Sequence, residues 1–211
     1  MSKPVGRKSL FLKSQPQLIL ASTSLYRRQL LARLNIAFDT AAPGIDEAPG
    51  PAEMPTELAT RLAREKAAHI AAGRPQAWVI GSDQVAVLEN ATAAGRILGK
   101  PGDRSRCVEQ LHDCSARTVS FLTAVAVLKA GEAATFEFLD TTRVRFRRLD
   151  TDTIARYVAS ESPLDCAAGF KSEGLGIALC ESIDSNDPTA LIGLPLIRLA
   201  AVLREIGFQV P

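Results

Sequence analysis

The sequence predicts an α/β protein. Short apolar runs of strand length alternate with helix-forming stretches through its first half, two long strands fill its middle, and an amphipathic helix closes it. Residues 17–21 (Gln-Leu-Ile-Leu-Ala) have the character of a buried strand. Ser22-Thr23-Ser24 then offers capping hydroxyls, and Leu30, Leu31 and Leu34 follow at helical spacing, so the chain opens strand, polar turn, helix. Residues 38–42 form a second strand stopped by Pro43-Gly44, and residues 45–55, rich in proline and acid, an exposed loop. A helix over residues 56–72, capped by Thr56, is stopped by Gly73 and Pro75. Residues 77–81 form the next buried strand. Ser82-Asp83-Gln84 stands at its carboxyl end, where open α/β sheets gather their ligands. Residues 85–88 and 97–98 flank a hairpin through 89–95, and residues 103–112 form a helix. Strands over 118–129 and 134–148 are joined near Gly131. A helix over 150–160 follows, then a loop over 164–173 closing on Gly174 and Gly176, and a brief strand over 177–180. The last helix covers 194–206, with Pro195 in its first turn and Gly207 past its end.

Composition narrows the function. With 211 residues the chain can bury a proper core, and at 46% hydrophobic and 23% charged residues it is neither disordered nor fibrous. A net charge of +2 gives no general affinity for nucleic acid, so none is expected as a partner. Arg143, Arg145, Arg147 and Arg148 offer a local basic patch, but on a strand most of them line one solvated face. No stretch approaches the ~18–20 apolar residues of a membrane span. Residues 1–16 carry Lys3, Arg7, Lys8 and Lys13 without the apolar core of a signal peptide, and are expected to be a flexible basic tail before a single domain over 17–211. Cys107, Cys114, Cys166 and Cys180 form no CxxC pair and no zinc spacing with the two histidines, which suits free thiols in a reducing cytoplasm. Walker, GxGxxG and Gly-x-Ser-x-Gly motifs are all missing.

Four clusters have chemistry to offer. Ser22 to Arg28 is a strand-to-helix turn with hydroxyls and two guanidiniums. Free N–H groups and arginines there suit phosphate, though the same turn serves as an ordinary cap. Asp46-Glu47, with Lys66 downstream, pairs carboxylates able to hold a hard divalent cation, or else forms a solvated loop. Asp83, fixed by a buried strand, can bind metal or act as base toward a water, with Lys100 in the following Gly-Lys-Pro. Gly169-Phe170-Lys171-Ser172-Glu173-Gly174 puts a lysine in a glycine-rich loop, with Ser185-Asn186-Asp187-Pro188 and Gly193-Leu194-Pro195 behind it. His69 and His112 suit structural or solvent-facing positions.

In order, Leu-Ala-Ser-Thr-Ser-x-Tyr-Arg-Arg, Asp-Glu, Arg-Glu-Lys-Ala, Gly-Ser-Asp-Gln, Gly-Lys-Pro, Phe-Lys-Ser-Glu-Gly and Gly-Leu-Pro resemble the Maf family of nucleotide pyrophosphatases, from Leu18 to Phe208. The resemblance implies a twisted mixed sheet in two lobes around a central cleft, related to the inosine triphosphate pyrophosphatases. It implies hydrolysis of a nucleoside triphosphate between its α and β phosphates with Mg²⁺ or Mn²⁺, and often a homodimer. Asp83 matches the catalytic acid. Ser22, Arg27, Arg28, Lys66, Lys100 and Lys171 match the phosphate-handling positions, and Asp46 and Glu47, with Asp83, the acidic metal-binding ones. Tyr26, Gln84 and Glu173 resemble the branch that acts on 7-methyl-GTP; the branch acting on dTTP and UTP has arginine, threonine and glutamine there. Leu25 departs from the family's proline, which is expected to loosen the phosphate loop slightly. Two rival expectations stand beside this one: the same chemistry on another base, and a nucleotide-binding regulator of cell division without turnover.

Overall fold

The computed structural model describes residues 16–90, 95–132 and 135–211. The expected basic tail, apart from Pro16, lies outside the described residues, as does the middle of the hairpin through 89–95. Strand β1 (Leu18–Ala21) lies between β2 (Asp39–Ala41) and the first half of β3 (Trp78–Leu88), parallel to both. The far half of β3 pairs antiparallel with β4 (Arg96–Leu98). On its other side β3 pairs along almost its whole length with β5 (Thr118–Leu128), followed by β6 (Thr135–Phe146) and β7 (Cys180–Asp184), all antiparallel. The result is the expected mixed sheet, in the order β2-β1-β3-β5-β6-β7 with β4 beside β3. Helices α1 (Leu25–Ala32), α2 (Pro55–Ala72), α3 (Arg104–Cys114), α4 (Thr151–Glu161) and α5 (Leu196–Glu205) cover it.

Alternation of side chains along each strand sorts the core. Leu18, Leu20, Trp78, Ile80, Val125 and Val127 pack beneath α1 and α5. On the opposite face Ile19, Val79, Val85, Val87 and Ala124 pack beneath α2. Ala86, Leu88, Val119, Phe121, Val144 and Phe146 return to the first face but join a separate core with α3 and α4. Two cores thus sit side by side on one face. The strip between them is polar: Ser82 and Gln84 of β3, Thr123 of β5 and Thr142 of β6, three of them fully buried.

Four boundaries depart from the sequence expectation. Strand β3 does not end at Gly81 but runs on to Leu88, because β5 continues to pair after β1 stops. Ser82, Asp83 and Gln84 are therefore strand residues. Helix α2 starts at Pro55, so Met54 takes the cap position instead of Thr56, and Glu57 accepts a hydrogen bond from the Met54 N–H at 3.1 Å. Residues 175–179 form a 3-10 turn, and the strand expected there is displaced to 180–184, where β6 has a free edge. Helix α5 starts after Pro195, which has no capping side chain. Asp187 accepts from the Ile197 N–H at 2.7 Å and Thr189 from the Leu196 N–H at 2.9 Å, capping the helix from a preceding loop.

Candidate active site

β1 stops at Ala21, opposite Gly81, and β4 first pairs at Ala86. Between those points one edge of β3 has no neighbouring strand. A sheet opens a crevice where its neighbouring strands part, and ligands collect in such places. Here the crevice is a cleft of about 690 Å³, inside the ~300–1,000 Å³ typical of small-molecule sites. Ser22, Thr23 and Ser24 line one side, Gly99 and Lys100 the other, and Asp83 and Gln84 the floor.

Asp83 turns toward α2, and Gly81 explains how it meets Lys66. A Cβ on Gly81 would stand 2.1 Å from the Ala63 carbonyl oxygen and 2.7 Å from the Ala67 nitrogen. Only glycine on the strand and alanine on the helix let α2 lie this close. The approach brings the buried Lys66 ammonium to 2.6 Å from Asp83 Oδ1 and 2.7 Å from Glu47 Oε1. A buried lysine needs such partners, since an unpaired ammonium away from water costs several kcal/mol. Burial alone would raise the Glu47 carboxyl, but the Lys66 hydrogen bond and the charges of Lys66, Lys100 and Arg27 outweigh it and hold its pKa below the ordinary value.

Helix α1 starts from the opposite wall. Ser24 caps it, its Oγ accepting from the Arg27 N–H at 3.3 Å, while Ser22 Oγ accepts from the Ser24 N–H at 3.1 Å. These hydroxyls order the turn with Leu25 at its first helical position. Arg27 donates from Nε to the Gly193 carbonyl at 3.0 Å. Burial lowers its pKa, against the pull of Asp83 and Glu47. Ser82 donates to the same Gly193 carbonyl at 3.0 Å. Gln84 Nε2 donates to the carbonyls of Ala190 and Leu191, each at 3.0 Å, and to Thr123 Oγ1 at 2.9 Å. The polar strip between the two cores is thus a seat for the loop over 187–193, and that loop carries the acceptor that aims Arg27.

Of the sequence-selected residues, Ser22, Tyr26, Arg27, Glu47, Lys66, Asp83, Gln84, Lys100 and Glu173 line the cleft together. Three others are placed apart. Arg28 is exposed on the outer side of α1. Asp46 is exposed, and its Oδ1 accepts from the Ala48 N–H at 2.9 Å. Lys171 is held by Glu161 at 3.2 Å, with its ammonium 6.0 Å from the Tyr26 ring centre. A Cβ on Gly174 would fall 2.5 Å from a Glu161 carboxylate oxygen, the far end of a flexible side chain that can shift aside. Both histidines are exposed. Sequence reasoning missed Asp165 and Cys166, which line the cleft beside Tyr26. It also gave Asp187 and Gly193 no role, although their Asp-Pro and Gly-x-Pro settings marked turns.

Among the described residues no three ligating side chains converge in a ready-made metal cluster. Glu47 and Asp83 do converge on one point, the Lys66 ammonium. Both carboxylates also line the cleft, and two carboxylates suffice for Mg²⁺ when substrate and water supply its other ligands. Asp46, expected beside them, is exposed and is not among the residues that line the cleft.

A mixed sheet with a polar, ligand-sized cleft where its strands part defines the class: an α/β protein built around a sheet crevice. The chain belongs to the Maf family, whose model, described as Maf-like protein, matches residues 17–206. It is 55% identical over 196 residues to a 7-methyl-GTP pyrophosphatase of Xanthomonas oryzae pv. oryzae (strain MAFF 311018), covering 93% of this chain and 100% of that protein. Proteins of the same name from Aromatoleum aromaticum and Pseudomonas aeruginosa are 51% and 48% identical, covering 92% and 93% of this chain and 98% and 100% of theirs. The Ham1 protein of Staphylococcus aureus aligns loosely, with a TM-score of 0.44 and 14% identity over 62% of this chain and 71% of that one.

Proposed function

We propose that this protein hydrolyses 7-methyl-GTP to 7-methyl-GMP and pyrophosphate. The observation that carries the reading is the buried Lys66 ammonium clamped between Asp83 and Glu47 in the cleft. The substrate comes from the relatives, full-length matches named for that activity. Water attacks the α-phosphorus, the bond to the bridging oxygen of the β-phosphate breaks, and pyrophosphate leaves. Asp83 orients that water and accepts its proton. Lys66, Lys100 and Arg27 balance the charge gathering on the leaving group, the largest contribution in reactions of this kind. A divalent cation, Mg²⁺ or Mn²⁺, would be held by Glu47 and Asp83, and when bound it supplies further positive charge to the phosphates. Tyr26 stacks on the methylated purine, and Glu173 accepts from its N1–H and 2-amino group. Four free cysteines support a cytoplasmic setting. No helix among the described residues is long and apolar enough to cross a membrane.

The test is pyrophosphate release with Mg²⁺ or Mn²⁺ across 7-methyl-GTP, GTP, dTTP, UTP and CTP. Preference for 7-methyl-GTP is expected. Asp83→Asn should lower kcat by about 10²–10⁴-fold, the usual share of a positioned acid or base. Preference for dTTP or UTP would refute the substrate, and wild-type turnover in the variant would refute the role of Asp83.

A further inference from the structure

Consecutive residues of α1 leave the helix about 100° apart, and here they reach two different surroundings. Arg27 reaches the Gly193 carbonyl and the charges of Asp83 and Glu47. Tyr26 instead faces Asp165, Cys166 and Glu173, which line the cleft with it. Cations gather at the first end, where Lys66, Lys100 and Arg27 act together on Glu47. At the second end the balance is reversed. Three carboxylates, Asp165, Glu173 and Glu161, meet one ammonium there, Lys171, which Glu161 holds at 3.2 Å and which stands 6.0 Å from the Tyr26 ring centre; Asp165 and Glu173 form no ion pair among the described residues.

We infer that Asp165, acting with Glu173, reads the positive charge of the base, so that the Tyr26 end of the cleft receives a cationic purine in preference to a neutral one of the same shape. The inference rests on the proposed function and adds a residue and a physical cause to it. A phosphate-binding end and a carboxylate end in one cleft match a nucleotide that is anionic at its phosphates and cationic at its base. The field of the two carboxylates reaches the ring: burial, then Cys166 and Asp165, with Glu173 adding to them, push the Tyr26 phenol up to about 12. The Cys166 thiol, 3.6 Å from Asp165 Oδ1, is pushed up to about 12 by burial first and Asp165 second. Asp165 is exposed, so its pull on the base is that of unit charges in water-like surroundings. At ~4–5 Å this gives about fivefold in kcat/KM, or about 1 kcal/mol.

The experiment compares 7-methyl-GTP, GTP and 7-methyl-7-deaza-GTP, the last having the methyl group and outline of the first without its charge. Full-length wild type, Asp165→Asn and the double variant with Glu173→Gln are assayed with Mg²⁺. The wild type is expected to prefer 7-methyl-GTP to its neutral isostere. Asp165→Asn should narrow that gap about fivefold, through KM and not kcat, and the double variant should narrow it further. An unchanged gap in Asp165→Asn, or an equal loss on both nucleotides, would overturn the inference. A wild type that prefers 7-methyl-GTP to GTP yet accepts the isostere equally well would keep the proposed function and overturn only this inference. Indifference between 7-methyl-GTP and GTP would remove both.

Discussion

Adding one carbon at Gly81 should damage stability and turnover together, although Gly81 touches no substrate. The new Cβ would lie 2.1 Å from the Ala63 carbonyl oxygen, so α2 must retreat by about 1.3 Å to reach the 3.4 Å at which ordinary contact begins. Overpacking of this kind costs about 1–3 kcal/mol. For a chain of this length 2 kcal/mol lowers Tm by about 4–8 °C. The same retreat carries Lys66 off Asp83, now 2.6 Å away. Misplacing a catalytic group by ~1 Å can cost about 10²-fold in rate. Gly81→Ala should therefore show both losses, measured by thermal unfolding and by pyrophosphate release. Because the obstructing atom is backbone, trimming the neighbouring Ala67 to glycine in the same chain should not restore activity. A Gly81→Ala protein with wild-type turnover, or rescue by Ala67→Gly, would refute the link from helix approach to lysine position.

Two further outcomes follow from the geometry. Gln84→Ala should leave the Leu191 carbonyl without its Gln84 donor, at a cost of about 1–3 kcal/mol, while the Ala190 carbonyl keeps those of Thr123 and the Gly193 N–H, and should lower kcat/KM on every nucleotide alike because the loop that aims Arg27 is held less firmly. A changed preference between bases at unchanged stability would instead make Gln84 a reader of the base. At the start of α2, the Arg61 hydrogen bond, with that of the Gly50 N–H, holds the Glu53 carboxyl down at about 2. A depressed carboxylate stabilises the fold above its unfolded pKa, and that stabilisation is lost as pH falls through the folded value. Glu53→Gln should thus lose less Tm than wild type between pH 5 and pH 2; parallel Tm profiles would show that the pair contributes nothing.

The sequence was legible where local chemistry decides. Ser24 caps α1 because a hydroxyl before an apolar run is satisfied in no better way, and long β-branched runs became β5 and β6. Element ends set by partners were not legible. Nothing local says that β3 continues past Gly81, since β5 decides it, and nothing local moves the last strand to 180–184, since the free edge of β6 does. The site followed the same division. Lys66 and Asp83 stood out by residue type, but their contact depends on Gly81 and Ala67 accepting each other across the helix–sheet interface. Gln84, expected as a specificity residue, lines the cleft, and its tie to a loop more than a hundred positions away had no local signal. Asp165 carried no local signal, because an acid in a loop gains meaning only from the aromatic ring it faces.

The pairing of β3 with β5 runs without interruption from Val79 opposite Leu128 to Leu88 opposite Val119. Both flanking cores are bolted to this one girder, and the cleft is a notch cut into its side. Domains joined by a linker can swing; here, opening the notch would mean bending the beam and tearing its hydrogen bonds in series. Nucleotide entry and product exit are then expected at the rims, the stretch after Pro43 and the segment over 164–173, while the spacing between Asp83 and the Lys66 ammonium stays as the contact of α2 with Gly81 sets it. A machine of this kind has its working gap machined in before the workpiece arrives.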